Sequence, residues 1–561
     1  MIKEFKIKAL PDKNMINELA CDMKIGKVLS ALLLQRGISS HYDAEEFLTG
    51  TRIFMHDPFL MKDMDKAVEI MGSVHTRGGR VCIFGDYDVD GISALALMYT
   101  SLLKLGFNVS WFLPDRQKDL YDLQVEQVKQ IGDMGCDLLI TADCGSNAKE
   151  SVAYAKKLGM KVIVTDHHIV TEAAEPDAFI NPMQEDCEYP YKYLCGCSVA
   201  YKLIMGYTLK YSLDPWGFTR SVMDLLCLAT VADYMPMTGE NRVIVKSGMD
   251  SIMNTSRVGL ACLLREAGIY KNLSCKLLQY RVIPKLNSAG RMGKTETAFR
   301  LLIENNFETS EILCKEVCDA NKKRQEIEDL MEKEAVEIIE KKHYENDKIL
   351  VVYRKDWESS MCGNLAARLC KKYNKPSIAI GSLKNYAKGS GRNYKDFNIF
   401  EATEGGSDAL IKFGGHKSAL GVTLLPERVD EFREKINKNL VIKEEPEKEA
   451  EYDLCLKLGA LDMALCIDLE KMMPFGDKNP EPVFVSRGVV IKQVYNMGRD
   501  KQHTKLVFEK NPGDFIECVM WNKTDEALVL GAVLDVAYTM EVNDFNFQKI
   551  PQMVIKDYIL K

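Results

Sequence analysis

The sequence predicts an α/β protein: a parallel-sheet domain covered by helices, a long connecting helix, a second α/β domain and a C-terminal β-barrel. Three patterns predict it. Short apolar runs alternate with amphipathic stretches between residues 79 and 182, which suits a parallel sheet with both faces covered. Apolar residues at 313, 317, 320, 327, 331, 335 and 338 keep helical spacing through an otherwise charged stretch, so 310–342 reads as one amphipathic helix. From 452 onward, strand-like segments follow one another closely, as in a small closed barrel. The expected boundaries are a helical cap over 1–75, the first α/β domain over 76–309, the connector over 310–345, the second α/β domain over 346–440, a linker over 441–451 and the barrel over 452–561.

At 561 residues the chain needs several cores. It is net acidic, at −7, so any nucleic acid must be held by local basic patches. No run is long enough to span a membrane, and the N-terminal stretch MIKEFKIKALPDKN lacks an apolar signal core, so a cytoplasmic protein is expected. The 17 cysteines are scattered, many in apolar segments, where a thiol acts as a small hydrophobe. Cys195 and Cys197 have no second pair at zinc-site spacing, so a structural zinc is not expected there.

Taken in order, 15–75 carries helical spacing and no evident chemistry. Strands follow at 81–84, 109–113, 138–142, 162–165 and 178–180, with helices at 92–105, 123–134 and 147–158. Acids and imidazoles sit where these strands end: Asp86, Asp88 and Asp90 in VCIFGDYDVDG, Asp143 in LLITADCG, and Asp166, His167 and His168 in VIVTDHH. Asp233 closes a further apolar run in LATVADYMP. Ligands of open parallel sheets bind beyond the carboxyl ends of the strands, so the pattern gathers these groups at one edge. The region 195–301 is helical and holds PKLNSAGRMG, which carries Arg291. The second α/β domain holds GNLAARL, KGSGRNY and FGGHKSALG, whose glycines admit close phosphate approach and whose Lys388, Arg392, His416 and Lys417 supply cations. In the barrel, Lys492, Arg499, Lys501, His503 and Lys505 crowd one hairpin, with Phe484, Tyr495 and Trp521 as stacking faces, a mixture suited to single strands.

Carboxylates and imidazoles without a thiolate favour Mn²⁺ or Mg²⁺. Two ions about 3.5–4 Å apart would share a carboxylate and serve in-line attack on a phosphodiester. Asp88, Asp90, Asp143, His167 and Asp233 read as direct ligands. His168 reads as a ligand or as the group that orients the phosphate and gives a proton; Asp166 as the residue that holds an imidazole in its tautomer; Asp86 as a ligand or a turn residue.

DYDVDG, TADCG, VTDHH and TVADYMP together resemble the four motifs of the DHH phosphoesterases. The order of LLLQRGIS, DPFLMKDMDKA, LPDRQKDLYDL, NPMQEDCEYPYKYLCGCSVAYKL, PKLNSAGRMG, GNLAARL, KGSGRN, GGHKSALG and PFGDKNPEP resembles the RecJ exonucleases within that superfamily. The resemblance implies a DHH domain holding two metal ions, a DHH-associated domain, an OB-fold, and release of mononucleotides from the 5′ end of single-stranded DNA in repair and recombination. It implies phosphate contacts at Arg291, Arg392 and His416, and a narrow opening lined by Arg116 and Tyr121. It also implies a monomer working with a helicase and a single-strand-binding protein. Leu120 and Asp122 stand where the family has glycines, Lys285 where arginine is common, Asn393 for a small residue and Lys478 for a glycine. These departures touch the strand path and not the ligand set. Two rival readings are a DHH-type small-nucleotide phosphodiesterase, which the 452–561 barrel argues against, and a non-catalytic RecJ-like DNA-binding scaffold, which the full ligand set argues against.

Overall fold

The computed structural model describes residues 4–51, 55–116, 122–383, 385–395, 397–438, 451–545 and 548–561. Its first sheet has five parallel strands in the spatial order Asn108–Phe112, Arg80–Gly85, Leu138–Ala142, Lys161–Thr165, Ala178–Ile180. Side chains alternate across a strand, and the alternation here divides two cores. Val81 and Ile83 join the helices of 196–303 on one face, while Cys82 and Phe84 join Val128, Val152 and their neighbours on the other. Both alternate sets are apolar, which is why these strands read as unbroken runs. Chain order reverses at Arg80–Gly85, so a crevice opens between its carboxyl end and that of Leu138–Ala142.

The helix Phe307–Lys342 has 36 residues, about 54 Å at the α-helical rise. Leu313, Cys314 and Val317 belong to the first domain's core, and Met331, Ala335 and Ile339 to the second's. One rigid rod is thus cemented into two domains. The second sheet runs Lys412–His416, Ala419–Leu424, Tyr386–Arg392, Ser377–Leu383, Leu350–Glu358, and is parallel only in its last pair. GNLAARL opens the helix Cys362–Tyr373, and KGSGR lies in a strand. These glycine-rich segments are therefore built largely into regular elements.

The C-terminal barrel closes because Phe484–Met497 pairs with both His503–Asn511 and Val533–Phe545, and Asp514–Met520 with Gln548–Leu560. Its strands are longer than the short ones expected. Phe484 is fully buried in this core and offers no stacking face.

The N-terminal helices correct the expected cap. Lys13–Met23, Lys27–Gln35 and His41–Thr49 bury Ile16, Leu19, Leu29 and Leu32 in one core with Leu465, Phe484 and Leu506, so their apolar faces cover the barrel, and the domain that follows is touched through the end of His41–Thr49. Met64–Thr76, through Met64, Val68 and Met71, packs on the first domain, as do Phe59 and Met61 just before it. Arg242 secures this junction. Its guanidinium donates to the carbonyls of Phe47, Lys471, Met473 and Pro474, joining the first domain, the N-terminal helices and the PFG segment.

Candidate active site

The strand Arg80–Gly85 ends in the turn that carries three of the acids. Asp88 caps the helix Val89–Lys104, its Oδ1 accepting from the Gly91 amide at 3.1 Å. Gly91 is required: a Cβ there would meet Asp86 atoms at 2.6 Å. Asp90 points the other way and accepts from the Gly196 and Cys197 amides at 2.7 and 2.8 Å. These are the first amides of the helix Gly196–Lys210, whose positive end favours an anion. The CGC motif is thus a carboxylate cradle. Gly196 is also sterically fixed, since a Cβ would meet Asp143 Oδ1 at 2.3 Å.

Asp143 follows the next strand with a left-handed φ of 68°. It is buried, and its Oδ1 has no hydrogen-bond partner among the described residues. His167 Nε2 lies 3.2 Å from that oxygen, 3.6 Å from Asp233 Oδ2 and 3.8 Å from Asp90 Oδ2. Asp233 ends the helix Pro215–Ala232, and its Oδ2 is likewise buried without a hydrogen-bond partner among the described residues. Asp166 is committed elsewhere. It accepts from the amides of Ser146, His167 and His168 and from His168 Nδ1 at 2.7 Å, so it orients His168.

The electrostatics match this geometry. Burial and the Asp88 charge push Asp90 up to about 7, and burial with Asp90 and Asp88 pushes Asp233 up to about 8. Asp86 and Asp143 are raised well above the carboxylate range, first by burial and then by neighbouring acids. Burial lowers His167 to about 4, leaving it neutral and able to act as a ligand. Burial would also lower His168, but the Asp166 hydrogen bond and charge raise it to about 9; in turn His168 holds Asp166 below the usual carboxylate range.

Donor atoms within 4.8 Å of one another form three sets: Asp86, Asp88 and Asp143; Asp90, His167 and Asp233; and Asp143, His167 and His168. Buried carboxylates that repel one another and leave oxygens unsatisfied fit a divalent cation, and oxygen and nitrogen donors suit Mn²⁺ or Mg²⁺. Asp143 belongs to the first set, and its Oδ1 lies 3.2 Å from His167 Nε2 of the second, which places this carboxylate between the two.

Arg116, Arg291 and Arg392 converge beside these acids. Arg116 lies 4.5 Å over the Tyr87 ring. Arg291 donates to the Ser360 carbonyl across the domain boundary. Burial lowers it to about 10, with Arg116, Arg324 and Arg392 repelling it and Glu328 opposing them. Two glycines make room. A Cβ on Gly290 would lie 3.0 Å from the Tyr87 carbonyl, and one on Gly363 2.9 Å from Arg392 Nη2. His416 pairs with Ala419, which pairs with Arg392, so His416 and Arg392 share one sheet face. Lys388, four residues before Arg392 in the same strand, is exposed on that face too. Tyr121, with Leu120, lies outside the described residues.

The barrel hairpin is less positive than its linear composition. Lys505 pairs with Glu517 at 2.5 Å and Lys492 with Glu509 at 2.9 Å, which leaves Arg499 and Lys501 as its exposed cations. Trp521 and Tyr495 are half exposed. Sequence reasoning missed Tyr87, although it lies inside DYDVDG, and Asn181, which donates to Ser146 Oγ and the His168 carbonyl. Their partners are remote in sequence, so composition alone gave no signal.

Three family models match successive parts of the chain: the DHH family, N-terminal domain, over 80–230; the DHHA1 domain over 346–441; and the RecJ OB domain over 452–557. The chain is 32% identical to the single-stranded-DNA-specific exonuclease RecJ of Bacillus subtilis over 557 residues, covering 98% of this chain and 70% of that protein. It is 29% identical to the Escherichia coli enzyme of the same name over 555 residues, covering 94% and 95%. The crystal structure of Thermus thermophilus RecJ in complex with Mn²⁺ superposes with a TM-score of 0.84 at 24% identity, covering 99% of this chain and 79% of that one, which shows a common fold. With these three domains in order and 32% identity to a RecJ exonuclease over 98% of its length, the chain belongs to the RecJ family of DHH proteins.

Proposed function

We propose that the chain is a metal-dependent exonuclease that hydrolyses single-stranded DNA to mononucleotides, starting at a 5′ end. The carrying observation is the pair of donor sets, Asp86/Asp88/Asp143 and Asp90/His167/Asp233, set beside three converging arginines. In this reading the residues of the two sets would hold Mn²⁺ or Mg²⁺, with Asp143 positioned between them. When bound, such ions supply charge neutralisation at phosphorus and activation of the attacking water. Everything else falls to the chain itself. Asp90 keeps its place at the helix terminus, since a carboxylate has lone pairs for both amides and a cation. Arg116, Arg291 and Arg392 grip backbone phosphates, and Arg291 reaches both domains at once. His168, protonated at neutral pH and held through Nδ1 by Asp166, presents Nε2 to the cleft and passes its proton to the leaving oxygen. His416, Lys388, Arg499 and Lys501 extend a positive path toward the barrel, where Trp521 and Tyr495 stack bases.

The activity of these relatives, single-stranded-DNA-specific exonucleases, supports this substrate. A small-nucleotide phosphodiesterase has no use for the barrel, and a non-catalytic scaffold has no need of the complete donor set. The reading extends to a cytoplasmic monomer acting with a helicase and a single-strand-binding protein; no helix among the described residues is long and apolar enough to cross a membrane. Digestion of 5′- and 3′-labelled single- and double-stranded DNA with Mn²⁺, and with EDTA as control, tests it. Mononucleotides should leave the 5′-labelled single strand first and only with metal. Equal digestion of duplex, or digestion in EDTA, would sink the reading.

A further inference from the structure

We propose that Asp122 is a positioning residue for Asp143, acting through one hydrogen bond to the turn that carries it; this rests on the reading of Asp143 as a cation donor. That turn is irregular: Asp143 has φ 68° and Gly145 φ 101°. Three contacts fix it. The Asp143 amide donates to the Thr165 carbonyl at 3.0 Å, the Cys144 carbonyl accepts from Thr141 Oγ1 at 2.7 Å, and the Gly145 amide donates to Asp122 Oδ1 at 2.8 Å. The first two come from the sheet itself. Just beyond it, Ser146 is held by Asp166, Asn181 and the Ala174 amide; among the described residues, Asp122 is the side chain from outside the turn that holds the Gly145 amide.

Asp122 is suited to this. Its own φ is 72°, a region that glycine, aspartate and asparagine tolerate and most residues avoid. Its Oδ1 also accepts from the Leu123 amide at 2.8 Å, a local side-chain-to-backbone bond that fixes the carboxylate. Leu123 is buried in the second-face core, and its carbonyl accepts from Ser151 Oγ at 2.7 Å. The acceptor is thus mounted on a rigid base. Glycine, which the family resemblance places here, would supply the same backbone angle and leave the buried Gly145 amide without its acceptor. This chain therefore adds an anchor at a position where backbone freedom alone would suffice for the fold.

The test compares Asp122→Gly, Asp122→Asn and Asp143→Ala in the full chain, by calorimetric titration with Mn²⁺ and by steady-state digestion of single-stranded DNA. Asparagine keeps both the left-handed angle and the Oδ1 acceptor. Asp122→Gly should weaken Mn²⁺ binding about 10–100-fold, as loss of an outer support of a metal ligand does, and lower kcat while leaving KM for DNA within about twofold. Asp122→Asn should restore both to near the parent. Hydrogen exchange should show the Gly145 amide protected in the metal-free parent, a reading that needs no variant to fold. Parent-like Mn²⁺ affinity in Asp122→Gly, equal losses in the asparagine and glycine variants, or rapid exchange at Gly145 in the parent would each overturn the proposal. If Asp143→Ala loses Mn²⁺ while Asp122→Gly keeps it, only the Asp122 inference fails. If Asp143→Ala binds Mn²⁺ like the parent, the metal reading falls with it.

Discussion

Metal loading should release protons, and the number follows from the crowded acids. Asp233 titrates near 8 in the fold against an ordinary 3.8, and His168 near 9 against 6.5. Both are raised, so each contributes stability that is full below its unfolded value and lost as pH rises through its folded value. Between pH 6.5 and 8 the metal-free fold therefore holds about two protons that the unfolded chain has given up, with Asp86 and Asp143 adding to them. At about 1.4 kcal/mol per proton per pH unit, the Asp233 proton takes about 1.4 kcal/mol per unit from the metal-free fold across that window, and the half-exposed His168 adds a smaller, solvent-screened amount. Cys136, lowered to about 7, and Lys246, lowered to about 8, act with the opposite sign. Neither belongs to the donor sets, so both cancel in the difference between metal-free and Mn²⁺-loaded protein. Metal loading displaces the Asp233 proton while His168 keeps its own, so Mn²⁺ should bind at least about tenfold more weakly for each unit of pH decrease. Calorimetry at pH 7 in two buffers of different ionisation enthalpy counts the protons directly, and melting curves from pH 6.5 to 8 with and without Mn²⁺ supply the slope. Zero protons released, or the same slope in both states, would refute the electrostatic argument.

Three further outcomes follow from the geometry. Asp166→Asn removes the charge that raises His168, so the alkaline limb of the pH–rate profile should move down by up to about two units, toward the ordinary imidazole value; an unmoved limb would remove His168 from proton transfer. Lys202 and Glu240 form a buried pair at 2.6 Å that also holds the Tyr189 hydroxyl and the His56 main chain. Lys202→Met should cost about 3–5 kcal/mol by stranding Glu240, and adding Glu240→Leu should recover part of it; chemical denaturation of both variants decides. Replacing Arg499 and Lys501 with alanine should reduce the salt dependence of single-strand binding by about one counterion each, without changing kcat; an unchanged salt slope would take the hairpin off the strand path.

The first sheet was readable because buried parallel strands are apolar on both faces: all five segments appear where the runs lie, and their acids meet because strand ends converge by topology. What was not readable depends on partners remote in sequence. Nothing local in Leu29 or Leu32 says that their cover is Phe484 and Leu506, so the N-terminal helices were assigned to the wrong neighbour. Val483, Phe484 and Val485 are all apolar, so alternation could not tell which one faces inward. Lys505 and Lys492 looked free because their acids, Glu517 and Glu509, lie on neighbouring strands. Asp122 looked like a simple departure from a glycine, and its positive φ and its bond to Gly145 exist only in three dimensions.

The central claim is that Asp143 is shared between two cations. Anomalous diffraction at the manganese edge from crystals grown with Mn²⁺ tests it most directly. Two peaks about 3.5–4 Å apart, one toward Asp86 and Asp88 and the other toward Asp90, His167 and Asp233, with Asp143 touching both, are the predicted result. A single peak, or peaks that leave Asp143 uncoordinated, would contradict it.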